Sequence, residues 1–331
     1  MVKLSDLIKQ EKEASSKEEK STPLPPPKEY QGDGGDEEAD RIYNEILQYV
    51  ERVMENIKGN GRFDPNEGMR LIKKIVQSPQ VLEGLYQKAL QIRDLEDVFL
   101  HHSVNTAIFS MKMGIALNYD QEQLVKLGTA ALLHEIGTSE IPGKIMYKNS
   151  ALTEEEFQIL KRHPRYGYGI ILQQGKEFEW LAEIVYQEHE RERGQGYPRG
   201  LKGEEINEHA KIIGIVDIYE ALINPRPQRK RFLPYAAVKM IIGTQKRYFS
   251  SEIIKALLSQ LSVFPINCWV KLNNNMIGKV IETNENQPLR PKLEVWYDIK
   301  GNKMNEGKVM NLVDSPLLYI SGPLYEEELP A

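Results

Sequence analysis

The sequence predicts a mainly α-helical protein with a small antiparallel β appendage at its C-terminal end. Two observations lead to this fold class. Apolar residues recur at helical spacing from about Asp40 onward, and no strand-like alternation interrupts the pattern between about Leu95 and Leu261. After Pro265 the chain changes to short runs rich in β-branched and aromatic residues, which Asn, Gly and Pro turns separate.

The composition is that of a globular protein. The chain has 331 residues, of which 40% are hydrophobic, enough to fill the core of two domains or of one domain with an appendage. The net charge of -5 gives no overall attraction to DNA, so a phosphate-bearing substrate must meet local cations or metal ions. The single cysteine, Cys268, excludes an internal disulfide and a thiolate zinc motif, which indicates a reducing compartment. With no apolar stretch of membrane-spanning length, the sequence predicts a soluble, cytoplasmic protein without membrane insertion.

The N-terminal part divides into two predicted segments. Residues 1–39 combine charged runs, a proline cluster and an acidic Gly-rich stretch, which predicts a disordered tail because so little apolar surface can be buried. Residues 40–94 predict a helical lead-in segment. Its first helix ends at the Gly59-Asn60-Gly61 cluster, and its second begins at Asp64-Pro65, where Asp can cap a helix and Pro fits the first turn.

The rest of the chain divides into a helical domain, a β module and a tail. Residues 95–262 predict the helical domain, residues 263–325 a small β module with strand-like runs such as CWVKL and KLEVWYDI, and residues 326–331 an acidic tail. The predicted helices of the domain include residues 102–117, 121–134, 154–163, 180–190, 210–222 and 251–261.

Histidines and carboxylates in the helical domain predict a metal centre. The candidates are His102, His134, Glu135, His163, His189 and Asp217. Imidazole and carboxylate are the ligands of iron, manganese and zinc, and facing helices of a bundle can bring them together. Each residue alone also has an ordinary interpretation, as a hydrogen-bonded core histidine or a helix cap. However, His134-Glu135 ends the apolar run TAALL and Asp217 interrupts KIIGIVDIYEAL, and ionisable groups in such runs must be paired or metal-bound. His101 and His209 fall outside this pattern and are predicted to be structural or exposed.

Several longer motifs follow one another between about Leu100 and Leu261. In order they are HSVN, LLHEIG, Lys148, LTEEE, KRHPRYG, QEHERERGQGYPRGLKGEEI and IVDIYEALINPRPQR. The triplet Gly196-Tyr197-Pro198 lies in the sixth of these motifs, and we call residues 194–198 the GYP loop. This series resembles the HD-GYP family of bacterial phosphodiesterases. The segment after Pro265 is also similar to the one that trails some HD-GYP domains.

The resemblance implies an HD-type helical bundle that binds two divalent metal ions, with iron or manganese expected. It implies hydrolysis of the second messenger cyclic di-GMP to linear pGpG, to GMP, or to both, in bacterial signalling. It also allows a homodimer. The residues at the family's ligand positions are His102, His134, Glu135, His163, His189 and Asp217, and Glu188 stands where many members have a histidine.

A mechanistic hypothesis follows from this ligand set. His102, His134, Glu135 and Asp217 hold one ion, His163, His189 and Glu188 hold the second, and Glu135 bridges them and holds the attacking hydroxide. Arg191, Arg193, Arg226 and Arg229 offer guanidinium groups to phosphate or guanine, unless they form a solvated basic face. Gly196 and Pro198 shape a tight loop, and Tyr197 stacks on a base or contacts other signalling proteins.

Four departures from the family pattern support an alternative. Glu135 replaces an aspartate, Thr138 a lysine, Glu188 a histidine and Gln228 a tyrosine. The alternative is a catalytically weakened HD-GYP domain that acts as a nucleotide-binding or protein-interaction module. A third interpretation, a phosphohydrolase of the wider HD superfamily acting on another nucleotide, does not explain the GYP frame.

Overall fold

The computed structural model describes residues 35–59, 61–91, 98–148, 150–224, 232–245, 247–261, 264–284, 287 and 289–330. The first helix, α1, spans Gly35–Lys58 and therefore begins before the predicted start at Asp40. Glu37 and Glu38 lie in its first turn, where negative charges interact favourably with the helix dipole. Residues 1–34 of the predicted tail lie outside the described residues.

Two more helices complete the lead-in segment. These are α2, Pro65–Val76, and α3, Pro79–Gln91. Asp64 caps α2 as predicted, because its side chain accepts a hydrogen bond from the N–H of Asn66 and Pro65 occupies the first turn. The lead-in helices share one hydrophobic core with the central helices, and α1 supplies Tyr43 and Ile46 to it.

The central region consists of helices of very different lengths. They are α4 (Val98–Ala116), α5 (Gln121–Leu133), α6 (Gly143–Met146), α7 (Glu154–Leu160), α8 (His163–Leu172), α9 (Glu179–Gln187), α10 (Glu208–Ile223), α11 (Pro234–Met240) and α12 (Ser251–Gln260). The predicted helix over residues 154–163 is therefore two helices. Pro164 lies in the first turn of α8, where its missing N–H costs no hydrogen bond, so a new helix begins there.

Helices α4 and α10 form the centre of the domain. Both are apolar on nearly every side, which is typical of a helix enclosed by other helices. Helix α4 contacts α5, α10 and α12 as well as α1. Polar side chains on α4 and α10 are consequently buried and need partners inside the domain.

The C-terminal strands form one antiparallel sheet. The strands are β1 (Trp269–Leu272), β2 (Ile277–Glu282), β3 (Lys292–Tyr297), β4 (Lys303–Asn311) and β5 (Ile320–Leu324), in the spatial order β4-β3-β2-β1-β5. In β3 the side chains of Leu293, Val295 and Tyr297 are buried and alternate with partly exposed ones. The predicted fold class, mainly α with a C-terminal antiparallel appendage, is confirmed, and the domain boundaries stay predictions. Within the described ranges, no helix has both the length and the apolar character needed to cross a membrane.

Candidate metal centre

Three residues that are distant in sequence form the first set of candidate ligands. His102 projects from α4, Asp217 from α10, and His134 follows the last residue of α5. The Nε2 atom of His102 lies 3.2 Å from Oδ1 of Asp217. One nitrogen or oxygen from each of the three residues lies within 4.8 Å of the others. We call His102, His134 and Asp217 the first set.

Glu135, His163 and His189 form the second set, again with one atom of each within 4.8 Å of the others. The Nε2 atom of His163 lies 3.1 Å from Nε2 of His189 and 4.0 Å from Oε2 of Glu135. The sequence-based hypothesis placed Glu135 with the first set as a bridge, whereas its carboxylate is grouped here with the second set. Its bridging role stays a prediction.

Glu188 lies between the two sets. Its Oε1 atom is 3.1 Å from Nε2 of His163, and its Oε2 atom is 3.8 Å from Nε2 of His134. The residue is fully buried. The sequence-based hypothesis assigned Glu188 to the second ion, but its two oxygens face one histidine of each set.

Backbone carbonyls orient two of the histidines. Nδ1 of His134 lies 2.7 Å from the carbonyl oxygen of Ala131, and Nδ1 of His163 lies 2.8 Å from that of Leu160. A carbonyl oxygen only accepts hydrogen bonds, so both Nδ1 atoms carry the proton and donate it. In the neutral rings, each Nε2 therefore has a lone pair directed at the candidate centre, as a metal-bound histidine requires.

The polar atoms that remain without partners fit a divalent cation. Nε2 of His134 and Oε2 of Glu188 are buried and have no hydrogen-bond partner among the described residues. A buried polar atom without a partner costs about 1–3 kcal/mol. A cation with nitrogen and oxygen ligands would satisfy both atoms, and would also separate the Nε2 atoms of His163 and His189. The chain has the donor set of a divalent metal site.

Several side chains at this centre have shifted pKa values. Burial lowers the pKa of His163, but the carboxylates of Glu135 and Glu188 raise it more, to about 9. Burial raises the pKa of Asp217, but the hydrogen bond and charge of His102 lower it well below its usual range. Burial also raises the pKa of Glu188 above its ordinary value. Because ligands must lose their protons to bind a metal ion, binding of a cation at this centre would release protons.

The GYP loop packs directly on a residue of the second set. A Cβ atom at Gly196 would lie 2.4 Å from both the Cα of Glu190 and the carbonyl oxygen of His189, so a side chain does not fit there. The ring centroids of Tyr197 and His189 are 4.7 Å apart. Lys161 covers the Tyr197 ring with its Nζ atom 5.0 Å from the centroid. The triplet therefore helps to hold His189 in place.

Glu190, which the sequence analysis did not single out, holds the segment that follows the GYP loop. Its side chain is 2% exposed. Its carboxylate accepts hydrogen bonds from the backbone N–H groups of Arg199 at 2.7 Å, Gly200 at 3.1 Å and Leu201 at 2.9 Å. The signal in the sequence was its position directly after His189.

The candidate arginines differ in their surroundings. Nη1 of Arg191 donates to the carbonyl oxygens of Glu188 at 2.9 Å and Glu190 at 2.8 Å, and the guanidinium lies 5.0 Å from the ring centroid of Phe249. Arg191 thus holds the backbone beside the centre. Arg193 is exposed. The candidates Arg226 and Arg229, together with Gln228, lie outside the described residues.

Thr138, the residue that replaces a lysine of the family pattern, points back toward the backbone. Its Oγ1 atom donates a hydrogen bond to the carbonyl oxygen of Glu135 at 2.6 Å. The side chain is 7% exposed. Thr138 therefore fixes the turn that carries Glu135.

Glu220 is a further buried carboxylate that the sequence analysis missed. It contacts Nδ1 of His102 through Oε2 and accepts hydrogen bonds through Oε1 from the amides of Asn105 at 3.2 Å and Asn224 at 2.7 Å. Asp217 and Glu220 are three residues apart on α10, so they lie on one helix face. That spacing within an apolar helix was the available signal.

Comparisons with known proteins agree with this fold. A family model described as an HD domain matches residues 75–253, and one described as a KOW domain associated with HD domain matches residues 269–331. The cyclic di-GMP phosphodiesterase PdeB of Borreliella burgdorferi is 30% identical over 280 residues, which cover 84% of this chain and 73% of that protein. A cyclic di-GMP phosphodiesterase of Pseudomonas aeruginosa is 24% identical over 238 residues, which cover 72% of this chain and 56% of that protein.

A solved structure shares the fold. Bd1817, an HDG"Y"P protein from Bdellovibrio bacteriovorus, aligns with a TM-score of 0.55 at 19% identity over 70% of this chain and 73% of that one. The HD-domain model matches more than half of the 331 residues, and the resemblance drawn from the motifs is confirmed. The chain is a member of the HD-GYP family of HD-domain proteins.

Proposed function

We propose that this chain is a metal-dependent phosphodiesterase that hydrolyses cyclic di-GMP to linear pGpG, to GMP, or to both, in bacterial signalling. The observation that carries the proposal is the pair of ligand sets with the buried Glu188 between them. The choice of cyclic di-GMP as the substrate rests on the relatives, since the chain covers 73% of a cyclic di-GMP phosphodiesterase at 30% identity.

In this proposal each ligand set holds one divalent ion, iron or manganese. The first set supplies two imidazoles and one carboxylate, and so does the second. Bound there, such ions would activate water and offset the negative charge of phosphate oxygens. Glu188 would contact either ion or both through its two oxygens.

The residues of this chain position and enclose the reaction. The carbonyls of Ala131 and Leu160 fix the rings of His134 and His163, so their Nε2 atoms already face the centre before substrate binds. Tyr197 lies against His189 and shields it. Burial of the Glu188 carboxylate keeps bulk water away from its oxygens and strengthens its interactions with charge.

We assign substrate contacts from the solvent exposure and the hydrogen-bond partners of the candidate arginines. Arg193 is exposed beside the GYP loop and is proposed to contact a phosphate, and Arg226 and Arg229 keep the same proposed role. For Arg191 we propose a supporting role, because its guanidinium already binds two backbone carbonyls. The homodimer, contacts of the GYP loop with other signalling proteins, and the cytoplasmic location stay predictions.

The decisive experiment measures product formation from cyclic di-GMP by chromatography. The protein is purified without oxygen and reconstituted with iron(II) or manganese(II), beside His134→Ala and His209→Ala. His209 is a half-buried histidine outside both sets, whose ring packs against Tyr119, so its replacement is the matched control. We expect metal-dependent turnover by the wild type and His209→Ala and none by His134→Ala.

Other outcomes would change the proposal. If a metal-loaded wild-type protein binds cyclic di-GMP without hydrolysing it, the weakened binding module is correct, and Glu135 and Thr138 are the first positions to restore. A parallel assay with the mixed adenine-guanine cyclic dinucleotide tests the substrate. Preferential hydrolysis of the mixed compound would contradict cyclic di-GMP as the substrate while leaving the phosphodiesterase chemistry in place.

A further inference from the structure

A buried tyrosine of the lead-in segment is hydrogen-bonded toward the first ligand set. Tyr43 lies on α1 and is 1% exposed. Its hydroxyl donates to Oδ1 of Asn105 at 2.9 Å and lies 2.9 Å from Nδ1 of His101. Because the hydroxyl has one proton and gives it to Asn105, the His101 Nδ1–H donates to the hydroxyl oxygen.

Asn105 links the Tyr43 hydroxyl to Glu220. Its Nδ2 atom donates to Oε1 of Glu220 at 3.2 Å. An ionised carboxylate only accepts hydrogen bonds, so the NH2 group of Asn105 must face Glu220 and its oxygen must face Tyr43. The Tyr43 hydroxyl satisfies that oxygen and thereby holds the amide in this orientation.

Glu220 in turn determines the state of His102. Its Oε2 atom contacts Nδ1 of His102, which therefore carries the proton, and Nε2 of His102 faces Asp217 at 3.2 Å. Carboxylates and carbonyls that accept from the outer nitrogen of a metal-binding histidine fix its tautomer and ring orientation. The contacts run from Tyr43 through Asn105 and Glu220 to His102.

We propose that Tyr43 is a positioning residue for the metal centre, which acts on His102 through Asn105 and Glu220. The proposal rests on the metal centre of the proposed function. Helix α1 ends at Lys58, before residue 75, where the match to the HD-domain model begins, so the match to that model does not account for this contact. The lead-in segment then supports the metal site from outside the HD-domain match.

Glu220→Gln tests the contact between Glu220 and His102. The glutamine oxygen is needed on the side of Asn105 and Asn224, which both donate to it, so its NH2 group would face Nδ1 of His102. Nδ1 would then have to accept, which leaves the ring proton on Nε2, the atom proposed to bind the ion. We expect the affinity of the first set for manganese(II) to fall by about 10–100-fold, the effect of losing an outer partner of a metal-bound histidine.

Tyr43→Phe tests the contact between Tyr43 and Asn105, with Tyr49→Phe as its matched control. Tyr49 lies on the same helix and is also 1% exposed, but its hydroxyl donates to the carbonyl oxygen of Asp64 at 3.3 Å. Each variant removes one oxygen atom. We expect Tyr43→Phe to weaken manganese(II) binding by about tenfold and Tyr49→Phe to leave it unchanged, as measured by competition with a chelating dye on the full chain. Circular dichroism verifies that both variants fold. Equal affinities for Tyr43→Phe and Tyr49→Phe would overturn the proposal.

A metal-free measurement separates this inference from the proposed function. The 15N shifts of the His102 ring, assigned with a His102→Gln variant, report whether Nδ1 is protonated. We expect a protonated Nδ1 in the wild type, a changed Nδ1 signal in Tyr43→Phe and an unchanged one in Tyr49→Phe. Unchanged shifts in Tyr43→Phe would disprove the connection even if the protein binds manganese. Changed shifts in a protein that binds no manganese would support the connection and contradict the proposed metal centre.

Discussion

The buried carboxylate of Glu190 allows a quantitative test of how the chain beside the GYP loop is held. It accepts three backbone hydrogen bonds, two through Oε1 from Arg199 and Gly200 and one through Oε2 from Leu201. Glu190→Gln keeps the shape of the side chain but converts one oxygen into an NH2 donor. Since Oε1 serves two donors, the amide oxygen is expected to stay there, and the NH2 group then faces the N–H of Leu201.

The cost follows from the kinds of hydrogen bond that change. A hydrogen bond to a charged group contributes about 1.5–3 kcal/mol and one between neutral groups about 1 kcal/mol. Glu190→Gln loses the bond to Leu201 and weakens the other two by removing the charge. We expect the free energy of unfolding to fall by about 3 kcal/mol.

Urea unfolding in the presence of a chelator measures this change without a contribution from metal binding. Hydrogen exchange of the Leu201 amide, which should become faster, reports the local effect. The control is Glu183→Gln, because Glu183 accepts from the side chain of Arg199 at 2.9 Å and its side chain is 35% exposed. Such a pair contributes about 0–1 kcal/mol. Equal losses for the two variants, or a loss below about 1 kcal/mol for Glu190→Gln, would refute the reasoning.

Three further predictions concern the loop, the arginines and pH. Gly196→Ala should lower turnover by more than about tenfold, because the displaced loop no longer holds a ligand in place, while Gly169→Ala, whose Cβ would meet no described atom within 4 Å, should leave kcat unchanged. Arg191→Ala should lower the midpoint of urea unfolding, whereas Arg193→Ala should leave that midpoint unchanged and raise KM for the cyclic dinucleotide. Because the pKa of His163 is raised to about 9, a metal ion must displace its proton below that pH. Titrations between pH 6 and 8 should therefore show manganese affinity falling by about tenfold per pH unit as the pH decreases, and a pH-independent affinity would contradict this assignment.

Local signals in the sequence predicted much of the fold. Asp64 and Pro65 predicted the start of α2 because capping depends on neighbouring residues alone. Periodicity could not show that the helix predicted over residues 154–163 ends at Leu160 and that another begins at His163. Both helices have apolar residues at compatible spacing, and only the missing N–H of Pro164 distinguishes a new first turn from a continued helix.

The sequence predicted most residues of the candidate site, but not which of them lie together in each ligand set. His134 was identified at the end of an apolar run and Asp217 inside an apolar helix, and the motif order added the others. Sequence spacing does not show that the Glu135 carboxylate lies near His163 or that Glu188 reaches toward both sets. Those contacts depend on how helices that are distant in sequence pack against one another. The sequence offered a signal for Glu190 and for Glu220, but their hydrogen-bond partners are defined only in three dimensions.

Helix ends explain how two of the candidate ligands are oriented. Helix α5 ends at Leu133 and α7 ends at Leu160, and the last carbonyls of a helix have no partner within it. His134 and His163 follow these ends, and each places Nδ1 on the carbonyl oxygen three residues earlier. One contact thus satisfies a free carbonyl and fixes the ring proton on Nδ1, which directs Nε2 into the centre. His102 lies inside α4, where the backbone carbonyls already bind within the helix. Its Nδ1 needs a side-chain acceptor instead, and Glu220 on α10 supplies it.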